Sequence, residues 1–246
     1  MLHVKAAIIP RPPESAQRGA LALWSRCRAA FALVCALALL TLAPSAARAE
    51  ITILAFGDSL TAGAGLPEAE GFVPQLEAWL HRHGQGDVRV INAGVSGDTS
   101  AGGLARIDWA LTPEVDGVIV ELGANDMLRG LSMAKMRDNL GGILDRIDAK
   151  GLPALLAGLP APPNYPKDYQ KAFKDAFREL AEAHQAIYVS SFFAGMSGKG
   201  MKQVMAMMQP DGLHPNAKGV AANVEAIGPS VLKLVKRARV VAKERR

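Results

Sequence analysis

Five short apolar runs, at residues 51–56, 88–91, 117–122, 154–158 and 186–189, recur along the chain with longer amphipathic stretches between them. Each run is too short for a helix and rich in Ile, Val, Leu or Ala, so it reads as a buried strand. Apolar residues at helical spacing fill the intervals, at about 71–83, 101–112, 132–149, 167–184 and 216–238. Strand and helix alternating in this way predict an α/β fold. Parallel neighbours need long crossover connections, and helical crossovers cover both faces of the sheet. In such sheets a ligand crevice lies beyond the carboxyl ends of the strands. Residues that carry chemistry are therefore sought in the segments after each strand.

The first 49 residues stand apart from this pattern. Residues 29–43 are apolar except for Thr41, follow Arg26 and Arg28, and lead to Ala47-Arg48-Ala49. A basic region, a short apolar core and an Ala-x-Ala exit describe a secretory signal peptide. The run is shorter than the roughly 20 apolar residues that a membrane-spanning helix needs. Cleavage is expected after Ala49, leaving residues 50–246 as one exported, periplasmic or secreted, monomeric domain without a membrane span. The leader holds six of the 28 Lys and Arg residues and one of the 23 Asp and Glu residues, so 22 of each remain. The formal charge of +5 thus belongs to the leader, and a nucleic-acid partner is not expected. One basic cluster remains at residues 233–246, read as a solvated helix end whose cations suit the helix dipole. Both cysteines, Cys27 and Cys35, lie in the leader, so the mature domain must be stabilised by its core without disulfides.

Four post-strand or loop segments hold candidate chemistry. Gly57-Asp58-Ser59-Leu60 follows the first strand, where a Ser hydroxyl would project into the crevice; alone, it fits a helix cap as well. Asn92-Ala93-Gly94-Val95-Ser96-Gly97-Asp98-Thr99 follows the second, and Gly97 can bring its backbone N–H close to a ligand oxygen. An ordinary turn capped by Asp98 or Thr99 is the simpler account of that segment by itself. Gly123-Ala124-Asn125-Asp126 follows the third, and Asn125 offers a neutral amide donor. Asp211-Gly212-Leu213-His214-Pro215 precedes the last helix; a carboxylate three residues from an imidazole can reach its Nδ1, leaving Nε2 to take a hydroxyl proton. Together they supply what acyl transfer needs: a nucleophile, a base with its orienting acid, and fixed donors for an oxyanion. The Gly-x-Ser-x-Gly elbow of α/β-hydrolases is absent.

These four segments resemble the blocks of the SGNH (GDSL-type) hydrolases, most of all the periplasmic acyl-CoA thioesterase I, lysophospholipase and arylesterase branch. Gly103-Leu104-Ala105-Arg106, Leu128-Arg129-Gly130, Leu159-Pro160 and Asn164-Tyr165 resemble that branch too. The resemblance implies a flavodoxin-like three-layer α/β/α sandwich with a five-stranded parallel sheet. It implies Ser59 as nucleophile, His214 as general base then acid, and Asp211 as its orienting carboxylate. The oxyanion would rest on the N–H groups of Ser59 and Gly97 and on the Asn125 amide. No metal or organic cofactor is implied. Ala124 and Met127 stand where close relatives often have Gly, and Phe72-Val73 replaces a Trp-containing turn, which bears on acyl-chain preference rather than on the reaction.

The expected activity is hydrolysis of arylesters, lysophospholipids or acyl thioesters, small acyl-ester or lipid substrates, through an acyl-enzyme on Ser59. An acetylesterase acting on carbohydrate, or a non-catalytic binding module of the same fold, would be the alternatives. Met127, Leu128, Leu131, Leu159 and Pro160 are the candidate walls of an acyl groove. Met196, Met201, Met205, Met207 and Met208 lead into the His214 loop, with core filling the simpler reading. His81, His83 and His184 read as surface residues.

Overall fold

Every residue of β1, Ile51–Gly57, is buried, as are those of β3, Gly117–Glu121, and β4, Ala154–Ala157. Strands apolar on both faces must be covered on both, which places these three at the centre of a sheet. β2, Val88–Gly94, begins by alternating buried and exposed residues, and β5, Ile187–Val189, is mostly half-buried. These are the two edges. In the computed structural model, which describes residues 50–245, all strands are parallel and run in the order β2-β1-β3-β4-β5. The anticipated α/β sandwich with five parallel strands is present. The proposed leader, its cleavage after Ala49, and Cys27 and Cys35 lie outside the described residues.

The helices are α1 (Ser59–Ala62), α2 (Phe72–Arg82), α3 (Ser100–Ala110), α4 (Ala124–Leu128), α5 (Met133–Ala149), α6 (Lys167–Ala183), α7 (Met201–Met205) and α8 (Ala217–Arg245). α2 and α8 pack together on one face of the sheet, and α3, α5 and α6 pack in series on the other. Right-handed crossovers explain the division. The step from β1 to β2 runs one way along the sheet, and the steps from β2 through β5 run the other. Their connecting helices therefore fall on opposite faces. The reversal opens between β1 and β3, where such folds place their ligand crevice.

The structure departs from the sequence reading in four places. β2 runs three residues past Ile91, because Asn92, Ala93 and Gly94 pair in parallel register with Ala55, Phe56 and Gly57. Asn and Gly disfavour strands locally, and the ladder to β1 overrides them. The last helix reaches Arg245 rather than residue 238, and its basic end is not simply solvated. Val235, Ala238 and Ala242 are buried, Arg239 donates to Asp87 at 2.9 Å, and Arg237 donates to the Gln185 carbonyl at 2.7 Å. His184 is half-buried at the end of α6, its Nδ1 2.7 Å from Asp148 Oδ2. The methionines do not all fill core: Met196 is buried, whereas Met201 and Met205 on α7 are exposed. No helix among the described residues is long and apolar enough to cross a membrane.

Candidate active site

The chain turns from β1 into α1 within one residue, and that residue is Asp58. Its Oδ1 accepts the Leu60 N–H at 3.0 Å, which caps α1 and leaves the Ser59 side chain uncommitted to capping. The cap and the candidate nucleophile of the Gly-Asp-Ser segment are thus neighbouring residues. After β2 a similar division holds: Thr99 caps α3, while Asp98 bonds Arg106 at 2.7 Å.

His214, 155 positions along the chain, meets Ser59: Nε2 lies 2.8 Å from Oγ. Its Nδ1 lies 2.6 Å from Asp211 Oδ2. The other Asp211 oxygen accepts the N–H groups of Leu213 at 2.9 Å and His214 at 3.0 Å. The imidazole bond, followed by these two backbone donors, lowers the Asp211 pKa to about 2. Gln209 fastens the His214 loop to the turn after Ser59. Its side-chain amide donates to the Ala64 carbonyl at 2.8 Å and to the Pro215 carbonyl at 3.0 Å, and its backbone N–H to the His214 carbonyl at 2.8 Å. Sequence reasoning did not single out Gln209, and no local pattern marks it.

The three candidate oxyanion donors are held in different ways. Gly97 has φ +81°, a left-handed conformation in which an L side chain is strained. Its carbonyl accepts the Arg129 guanidinium at 2.6 Å. Among the described residues, no protein group accepts from the backbone N–H of Ser59 or of Gly97. The Asn125 amide gives a hydrogen bond to Asp58 Oδ2 at 3.0 Å. One of its two amide hydrogens is used there, and the second remains.

Side chains without an assigned role in the sequence hold this edge together. Buried Asp126 accepts the Ser100 N–H at 2.8 Å and the Ser100 hydroxyl at 2.6 Å, tying the Asn125 segment to α3. Arg106 donates to the Ala93 and Gly57 carbonyls, both at 2.9 Å, and lies 4.0 Å over the Phe56 ring. It braces the ends of β1 and β2 together.

The candidate groove residues separate. Leu128 and Leu131 are 48% and 45% exposed beside the Asn125 segment, and Pro160 is exposed after β4. Met127 and Leu159 are closed into the hydrophobic core, so they do not form open walls. Their apolar character alone cannot distinguish a wall from the packing behind it. Val95 and Leu213, which flank Gly97 and His214 in sequence, are also exposed. Among the described residues, no group of three or more His, Cys, Asp or Glu side chains could hold a metal ion.

A parallel α/β sheet that carries a hydroxyl–imidazole–carboxylate chain at its carboxyl edge, with amide donors beside it, defines a serine hydrolase. The chain belongs to the GDSL-like lipase/acylhydrolase family, whose sequence model matches residues 55–222. It is 38% identical over 185 residues to esterase TesA of Pseudomonas aeruginosa, covering 75% of this chain and 89% of that protein. The crystal structure of AlinE4, an SGNH-hydrolase family esterase, aligns with a TM-score of 0.61 at 44% identity, over 75% of this chain and 96% of AlinE4. The psychrotrophic esterase EstA from Pseudoalteromonas sp. aligns with a TM-score of 0.68 at 35% identity, over 76% of this chain and all of EstA. The resemblance to SGNH hydrolases is borne out, and the chain is an enzyme that hydrolyses ester bonds.

Proposed function

We propose that the chain is an exported esterase whose leader, residues 1–49, is removed, and that residues 50–246 act as a monomer on acyl esters or thioesters of small lipids and aryl alcohols. The hydrogen-bonded series Ser59–His214–Asp211 carries this reading. In the first step His214 Nε2 takes the Ser59 hydroxyl proton as Oγ bonds to the carbonyl carbon. The carbonyl oxygen becomes an oxyanion held by the Ser59 and Gly97 N–H groups and the Asn125 amide. His214 then gives its proton to the leaving alcohol or thiol as that bond breaks, and an acyl-enzyme remains. Water repeats the sequence in reverse, releasing the carboxylic acid and restoring the Ser59 hydroxyl. Asp211 orients the imidazole and stabilises its positive charge in both steps.

The exposed Leu128, Leu131, Val95 and Leu213 side chains support an acyl chain longer than acetyl. Hydrolysis of a p-nitrophenyl ester series from acetate to palmitate tests this. Turnover rising into the medium chains is the expected result. Activity confined to acetate would instead favour a carbohydrate acetylesterase, and no turnover by the folded chain would sink the esterase mechanism. Replacing Asn125 by Ala should lower kcat by about 10²–10³, the usual effect of losing one oxyanion donor, with a smaller change in KM. Equal losses through KM alone would mean that the amide binds substrate without stabilising the transition state.

A further inference from the structure

Glu121 is the last residue of β3 and is fully buried directly behind the nucleophile turn, yet no step of the proposed reaction uses it. Its Oε2 accepts the Thr61 hydroxyl at 2.8 Å and, at a longer 3.4 Å, the Asp58 N–H. Its Oε1 is buried without a partner among the described residues. The Asp58 N–H contact sets the two buried carboxyl groups beside each other, and among the described residues no Lys or Arg bonds to either of them. Two carboxylates buried side by side repel each other and lose their hydration, so one member of the pair carries a proton.

The donors decide which. Asp58 receives the Leu60 N–H and the Asn125 amide, both at 3.0 Å, and sits within the field of His214. Glu121 receives one hydroxyl and one long N–H. Negative charge is stabilised where the donors converge, so it resides on Asp58 and the proton on Glu121. The other charged groups near the pair do not reverse this. Arg106 is committed to the Gly57 and Ala93 carbonyls and to Asp98, and Asp126 to Ser100. Burial and the neighbouring Asp58 charge raise the Glu121 pKa well above the ordinary carboxylate range. The sequence makes room for this arrangement at Gly57, where an added Cβ would lie 2.8 Å from Glu121 Oε2 and 2.6 Å from the Glu121 carbonyl.

We propose that Glu121 is a positioning residue: it keeps its proton, donates it in a hydrogen bond to Asp58, and so holds the Asp58 carboxylate on the Asn125 amide. The second Asn125 hydrogen is thereby aimed at the developing oxyanion. This rests on the role given to Asn125 above. Loss of the proton would set two negative charges side by side and release the amide from its aim.

Three measurements on the wild type, Glu121→Gln and Glu121→Leu test the proposal. Infrared spectroscopy at neutral pH should show a protonated-carboxyl band in the wild type that is missing from Glu121→Gln. Glu121→Gln, which still donates to Asp58 and accepts from Thr61, should retain most of kcat. Glu121→Leu should lose about tenfold to hundredfold in kcat with KM little changed, as a misaimed rather than absent donor would. As the pH rises, wild-type kcat should fall on a limb that Glu121→Gln lacks. Absence of the band would overturn the shared proton. A Glu121→Leu variant, folded by circular dichroism, with wild-type kcat would overturn the positioning role. The band reads the proton without any turnover, so failure of the esterase mechanism and failure of this proposal give different results.

Discussion

Ser59→Ala should reduce kcat/KM on a p-nitrophenyl ester by about 10⁴–10⁶ while leaving the fold and its melting temperature nearly unchanged. Among the described residues the hydroxyl makes one hydrogen bond, to His214 Nε2, and the turn around it is held by the Asp58 cap and by Gln209 rather than by Oγ. Removing one oxygen therefore costs the reaction much and the structure little. The double variant Ser59→Ala/His214→Ala should be hardly slower than Ser59→Ala alone, because groups that act as a unit are not additive. Losses that multiplied would show that His214 acts independently of Ser59. A Ser59→Ala variant retaining wild-type rates would place the nucleophile elsewhere.

Asp211→Asn should lower kcat by about 10³–10⁴, with KM much less affected. The carboxylate accepts from Nδ1 and so keeps the Nε2 lone pair facing Ser59; an amide that donates toward Nδ1 selects the opposite tautomer. The same residue makes a pH prediction. Asp211 is a carboxylate down to about 2, so loss of wild-type activity in mild acid reports protonation of other groups. Its folded-state pKa is depressed. Its stabilising contribution is therefore present above the ordinary carboxylate range and disappears as pH falls through about 2. The side chain is 43% exposed, so that contribution is small beside its effect on rate. Thermal melts and kcat–pH profiles of the wild type and Asp211→Asn check both statements. A wild-type acid limb abolished by Asp211→Asn would contradict them.

Much of this is legible in the sequence. The central strands were plain as continuous apolar runs because a parallel sheet covered on both faces leaves them no polar side. The candidate nucleophile, base and acid were legible because they sit in Gly-rich segments just past strand ends or before a helix, where the backbone can expose them. The edges are less clear: the apolar run of β2 stops three residues short of the strand because its end is specified by pairing with β1, not by the preferences of Asn92 and Gly94. Leu128 and Leu159 look alike in one dimension, yet one is exposed and the other is core. Met201 and Met205 look like core filling and are exposed for the same reason, since burial depends on what packs opposite.

The fold class, the strand-end segments and the types of side chain available there are set locally along the chain, because hydrophobic periodicity and turn chemistry act over a few residues. Long-range packing alone makes Ser59 meet His214, lets Arg106 brace two strand ends, and lets Asp58 both cap α1 and accept from Asn125. These contacts join residues as far as 155 positions apart. They arise from strand order and crossover handedness, which no local window of sequence contains. The buried proton assigned to Glu121 is the extreme case: a carboxyl at the end of an apolar strand reads as an ordinary acid until the fold removes it from water and seats it against a second carboxyl.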